Sequence, residues 1–371
     1  MYSLENFNRH MMALGRESRG LTQSGLAQEL GVQQGTVSKV ESGMLPPTHQ
    51  LVSDLCAALE YQPEFFFQTG RPYGMPPFHY RRRKKLGVKP LTKMIAEMNI
   101  RRIHLQALLK STEYKSNHYI PEIDRDEYQG GYGARFTVEN AARHLREHWM
   151  VPDGPIENLV DLIEGNGGIV IPCSFNNDLI DAVSQRIDGM PVLFFVNMNA
   201  PADRIRLTLA HELGHMVLHT TTLIDDAEME SEADQFAGAF LLPASGIRKN
   251  LQKFDLRQAA LLKRHWKVSM AAIAMRADRL GFLTPYQKKS FFIQMGKLGY
   301  RKAEPHEPEK EWPKKILELI RFHVSELGYS KEELSTSLFI SPDEFDLMYP
   351  SPPDAPPGKL TEYGHGLRVI K

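Results

Sequence analysis

The sequence predicts a multidomain, mainly α chain. An all-α bundle built around a helix-turn-helix comes first, an α+β domain with a small sheet follows, and a small, mostly helical region closes the chain. Three observations carry this reading. Apolar residues recur at helical spacing through Met1–Gly70 and again through Asp203–His219. Three short apolar runs, Gly168–Ile171, Ala182–Ile187 and Val192–Val196, have the length of strands and precede the second of those stretches. Charged or proline-bearing segments separate the parts. We place the bundle at 1–70, a basic connector with a helix at 71–130, the α+β domain at 131–300 and the C-terminal module with its tail at 301–371.

Leu21–Gly43 reads as helix, turn, helix. Thr22 is an N-cap, Ala27 is small where two helices cross, Gly31 suits a left-handed turn, and Val37 and Val40 face inward. Phe7–Phe67 resembles the helix-turn-helix domains of phage Cro and repressor type, the XRE family, and the resemblance implies that the second helix enters the major groove with its first residues on base edges. Gln33, Gln34, Thr36, Ser38 and Lys39 are the exposed candidates there, and Gln23 on the preceding helix is placed to hold a phosphate. Glutamine can bond adenine bidentately, Thr and Ser discriminate less, and Gly35 brings no side chain. The resemblance implies a double-stranded DNA operator as partner and, since such domains usually bind paired half-sites, a homodimer. A bundle that binds protein instead is the competing reading.

Charge is distributed unevenly although the chain is formally neutral. Met1–Gly70 carries four basic and seven acidic residues, net −3, whereas Arg71–Lys115 carries twelve basic and two acidic, net +10. Phosphate contacts therefore fall to the connector, whose run Tyr80–Lys85 leads into a helical pattern at Leu91–Leu109. A solvated charge run beside a domain boundary is the plainer alternative.

In the α+β region, Val138–Trp149 and Ile156–Glu164 read as helices, the three strands follow, and then comes the helix that carries His211-Glu212-Leu213-Gly214-His215. Histidines four residues apart share one helix face and reach one metal, with Glu212 leaning toward the same point as general base. A catalytic zinc needs a third ligand and an open position. Glu230 and Asp234, one helical turn apart, supply a ligand and an acceptor for the outer nitrogen of a ligating histidine, with Glu232 as the rival ligand. His219 lies about 12 Å beyond His211 along a straight helix, too far to share the metal, and reads as a helix-end histidine near the last carbonyls.

Arg206–His219 followed by Glu230–Pro243 resembles the ImmA/IrrE family of zinc metallopeptidases, over roughly Arg135–Gly281. Asp234 stands where that family also uses Asn. The resemblance implies a gluzincin-like scaffold, Zn2+ as cofactor, and a protein substrate such as a helix-turn-helix repressor. The expected protein is thus a DNA-binding transcriptional regulator with a zinc-dependent endopeptidase domain, acting in a stress, mobile-element or toxin–antitoxin type response. A non-proteolytic regulator, or an antitoxin-like protein with a structural or sensory zinc, is the alternative. An edge strand would hold the substrate backbone, and His265, Tyr286 or an arginine would stabilise the oxyanion.

After Tyr300 the run Lys302–Lys310 reads as a polar linker, Trp312–Leu327 as a helix, and Ser330–Phe345 as a helix-turn-helix mimic too poor in basic residues for DNA. A tail at Pro350–Pro357 leads to a short strand at Leu367–Ile370. No apolar signal region and no run near 18 apolar residues is present, so a cytoplasmic protein without a membrane partner is expected. Cys56 and Cys173 read as reduced thiols.

Overall fold

The computed structural model describes residues 3–70, 72–74, 87–110, 112–114, 119–125, 136–173, 175, 180–220, 224–349 and 367–369. The basic run Tyr80–Lys85 and the tail Pro350–Pro357 lie outside them. The chain divides into two compact units, one built from Met1–Met75, Arg82–Lys115 and Lys315–Lys371, the other from Pro76–Arg81 and Ser116–Lys314. It is mainly α with a small three-stranded sheet.

In the first unit, side-chain caps set where the helices begin. Asn8 accepts from His10 N to start α1 (Arg9–Ser18), Thr22 from Gly25 N to start α2 (Gln23–Glu29), and Thr48 from Leu51 N to start α4 (His49–Leu59). Gly31 supplies the left-handed turn, at φ +66°, before α3 (Gln34–Ser42). Met12, Leu26, Val37, Val40, Leu55, Phe65 and Phe66 form the buried centre. The connector helix, α5 (Val88–Lys110), packs on α1. Arg102 on α5 is buried with its guanidinium 4.4 Å from the Tyr73 ring centre, so this cation faces the interior instead of a nucleic acid.

The C-terminal helices Lys315–Ser325, Lys331–Ser337 and Pro342–Met348 belong to this same unit. Arg19 makes a bidentate pair with Glu344, at 2.7 and 2.8 Å, and the Tyr349 hydroxyl lies 2.8 Å from His104 Nδ1. Burial pushes the His104 imidazole down to about 3. Strand β1 (Thr112–Tyr114) pairs antiparallel with β5 (Leu367–Val369).

The second unit holds α6 (Val138–His148), α7 (Leu159–Gly165) and a sheet of order β2-β4-β3. β2 (Gly168–Cys173) runs parallel to β4 (Val192–Asn197), and β3 (Ala182–Gln185) runs antiparallel to it, pairing Ser184 with Phe194. Successive residues of all three strands are buried, so both faces of the sheet are covered. Next come α8 (Ala202–Leu218) and α9 (Asp226–Leu241), then α10 (Leu256–Trp266), α11 (Met270–Arg279) and α12 (Pro285–Lys297). Asp225 caps α9 by accepting from Ala227 N and Glu228 N, which fixes the start of the helix that carries Glu230, Glu232 and Asp234. α8 and α9 approach closely at Gly214, where an added Cβ would lie 3.1–3.2 Å from Phe236.

The segment read as a polar linker is a fixed strap. α8 begins at Pro201 without a side-chain cap, and Glu307 fills the role by accepting from Ala202 N at 2.5 Å. Glu304 accepts from Met270 N and Ala271 N at the start of α11, and Glu311 from Leu159 N and Val160 N at the start of α7. Each carboxylate meets the positive end of a helix dipole. Glu311 also pairs with the buried Arg206, and Glu304 joins Asp203 around Lys263, whose side chain is 0% exposed. Burial lowers the Lys263 pKa, but hydrogen bonds from its ammonium to those two carboxylates outweigh it and hold the group above its ordinary value.

Candidate metal centre and nucleic-acid interface

His211 and His215 lie one turn apart on α8, and Glu230 reaches them from α9. Their ligand atoms all lie within 4.8 Å of one another. The two Nε2 atoms are 3.1 Å apart, with Glu230 oxygens 3.8 Å from His211 Nε2 and 3.5 Å from His215 Nε2. Two ligands at ~2.05 Å from a tetrahedral zinc stand about 3.3 Å apart, so the triangle has the size that ion needs.

The outer nitrogens say which way the lone pairs point. His211 Nδ1 is 2.8 Å from Asp234 Oδ1. A carboxylate accepts, so Nδ1 carries the hydrogen and Nε2 presents its lone pair to the triangle. A lone pair on His211 Nε2, a second imidazole nitrogen 3.1 Å from it and the Glu230 carboxylate are donors of the kind that hold zinc. The donor set therefore fits zinc on the chemistry of its own atoms. His215 Nδ1 meets His219 Nδ1 at 2.9 Å, and His219 Nε2 meets Glu232 Oε2 at 3.1 Å. Glu232 also pairs with Arg125. Burial, the largest influence on it, lowers the His219 pKa below the ordinary histidine value.

Glu212 is completely buried. Its Oε2 accepts from Ser184 N at 2.9 Å and Ser184 Oγ at 2.6 Å. A carboxylate held by two donors on one oxygen cannot swing away, and it lies on the same helix as the histidines. Sequence reasoning did not single out Ser184. The signal it offers is a small polar residue in a strand otherwise buried throughout. β3 is one edge of the sheet, and Asn197 N donates to Asp181 O at 2.7 Å, so the backbone alternation turns Ser184 N away from β4 and toward Glu212. That edge amide is engaged by the carboxylate. Of the oxyanion candidates, His265 is exposed on α10 and Tyr286 is 80% exposed on α12.

On the first unit, Gln33, Gln34 and Lys39 are exposed on and just before α3, whereas Gln23, Thr36 and Ser38 are half-buried. Gln34 Nε2 donates to Gln23 Oε1 at 3.0 Å, and Gln23 Nε2 donates to Glu41 at 2.8 Å. Glu41 is itself fixed by Arg16 through bonds of 2.6 and 3.0 Å. Gln34 and Gln23 are thereby oriented by an ion pair set into the bundle.

A family model described as Helix-turn-helix matches residues 13–66, and a peptidase-family model described as IrrE N-terminal-like domain matches residues 167–278. The second match takes in β2 through α11 and with them Ser184, Glu212 and the histidine triangle. No curated protein matches the chain. Among the described residues, no helix is long and apolar enough to cross a membrane.

Proposed function

We propose that this protein is a DNA-binding regulator that works in the cytoplasm and carries a zinc-dependent endopeptidase, with a helix-turn-helix repressor or similar regulatory protein as substrate. The convergence of His211, His215 and Glu230 around one point, beside a Glu212 fixed by Ser184, carries the reading. Zinc, when bound, polarises the scissile carbonyl and makes a water acidic enough to deprotonate near neutral pH. Glu212 takes the proton of the attacking water and passes it to the leaving amine. Ser184 holds the carboxylate Oε2 so that the transfer needs no reorientation. Asp234 fixes the His211 ring. On DNA, Gln33 and Gln34 read bases, while Gln23, Thr36, Ser38 and Lys39 hold the backbone, two copies of the chain meeting two half-sites.

The test compares wild type with Glu212→Gln, expressed side by side. New N-termini are tagged and identified by mass spectrometry, those of this chain included, and zinc is measured by elemental analysis. Peptide products that vanish in the variant while one zinc per chain remains support the proposal. Products that persist in Glu212→Gln remove that residue from the mechanism. Zinc without any product favours the structural or sensory reading, which the burial of Glu212 and His215 also suits.

A further inference from the structure

We infer that His219, backed by Glu232 and Arg125, is a positioning residue that fixes His215 in the orientation and tautomer needed to hold the cation. The inference rests on the zinc reading of the histidine triangle and adds to it residues that do not touch the metal. Glu232, which the sequence offers as a rival ligand, is engaged elsewhere: it pairs with Arg125 and lies 3.1 Å from His219 Nε2. A carboxylate held by a guanidinium only accepts, so His219 Nε2 carries the ring hydrogen. His219 Nδ1 is then the acceptor, and His215 Nδ1, 2.9 Å away, is the donor. With its hydrogen on Nδ1, His215 turns the Nε2 lone pair toward His211 and Glu230. The chain of bonds does for His215 what Asp234 does for His211, through one more ring. Arg125 stands over the Phe136 ring at 5.1 Å, which holds the far end of the relay in place.

His219→Phe keeps the ring that packs against His215, with centroids now 5.0 Å apart, and removes both nitrogens. Zinc affinity, measured on the full chain by competition with a chromophoric chelator, is expected to fall about 10–100-fold. His219→Gln places an amide oxygen and nitrogen at nearly the spacing of the two ring nitrogens, and is expected to recover affinity to within about threefold of wild type. The visible absorption of the cobalt-loaded protein should shift in His219→Phe and return in His219→Gln. Urea midpoints of the metal-free proteins separate this from a packing role, which would lower stability in His219→Phe and leave affinity unchanged. Equal zinc affinity in wild type and His219→Phe overturns the inference. So does a cobalt spectrum altered by Glu232→Leu but not by His219→Phe, since Glu232 would then be a ligand itself. Wild type that takes up neither zinc nor cobalt fails the metal reading on its own, a result distinct from both.

Discussion

The close approach of α8 and α9 at Gly214 is a place where a single methyl group should separate metal binding from stability. Gly214 lies between the two histidines of the triangle, and an added Cβ would be 3.1 Å from Phe236 Cδ1 and 3.2 Å from its Cβ and Cγ. Carbon atoms at optimal separation stand about 3.5–4.0 Å apart, so the two helices must part by roughly 0.3–0.9 Å or Phe236 must turn. Phe236 has little room to turn, being fully buried and stacked on Phe240 with centroids 5.7 Å apart. Overpacking of this kind costs about 1–3 kcal/mol, and replacing glycine inside a helix returns about 1 kcal/mol, so the metal-free protein should lose at most about 2 kcal/mol. The displacement exceeds the roughly 0.2 Å tolerance of a zinc shell, and Glu230 rides on the helix that moves, so zinc affinity should fall about tenfold or more. Gly214→Ala and wild type would be compared by urea denaturation without metal and by chelator competition with it. Gly35→Ala serves as control, because nothing lies within 4 Å of its Cβ. It should leave zinc affinity unchanged and keep or raise stability. A Gly214→Ala protein that binds zinc as tightly as wild type would show that the approach of these helices does not set the site.

Other outcomes follow from the same structure. Lys263→Met leaves Asp203 and Glu304 buried without their cation and should cost about 3–5 kcal/mol in the urea stability of the second unit, whereas Lys267→Met, at a surface pair, should cost under about 1 kcal/mol. Equal costs would mean that the strap is not fixed through Lys263. His104 titrates near 3 in the folded chain, below the ordinary 6.5, so the unfolded chain takes up the proton first on acidification. Its contribution is therefore complete above the ordinary value and is lost as pH falls toward 3, at up to about 1.4 kcal/mol per pH unit. Denaturation of the metal-free protein at pH 7 and pH 5 should show a shallower loss in His104→Asn than in wild type; parallel slopes would refute the assignment. Lys39→Ala should weaken DNA binding to all sequences alike and reduce its logarithmic salt dependence by about one, while Gln34→Ala should cost about 1–3 kcal/mol on the operator and relax its specificity. Fluorescence anisotropy over a salt series distinguishes the two.

Much of the fold was legible because it depends on local pattern. The helix expected over Asp203–His219 runs over Ala202–Leu218, and that expected over Val138–Trp149 over Val138–His148. The expected strands appear with shifts of one or two residues. His211, Glu230 and Asp234 were nameable since spacing along helices puts them on usable faces, and the structure brings the three together. What escaped depends on contacts distant in sequence. Ser184 reaches Glu212 only after β3 is laid along α8, and Glu232 meets His219 only once α9 folds back. The strap was misread because Glu304, Glu307 and Glu311 look like solvated charge until the helix N-termini they cap are known. Likewise the pairing of Thr112–Tyr114 with Leu367–Val369 spans most of the chain and leaves no local trace.

The order of segments in the first unit has a consequence for how the protein comes into being. That unit draws its residues from Met1–Met75, Arg82–Lys115 and Lys315–Lys371, so in sequence the residues of the unit with the histidine triangle fall between its pieces. A ribosome delivers the last of its three pieces only after the whole of the inserted unit has been made. Until Lys315–Lys371 follows, Arg19 of this unit lacks Glu344 and His104 lacks Tyr349. A nascent chain that stalls or is nicked before Lys315 would carry a complete helix-turn-helix on an unfinished support.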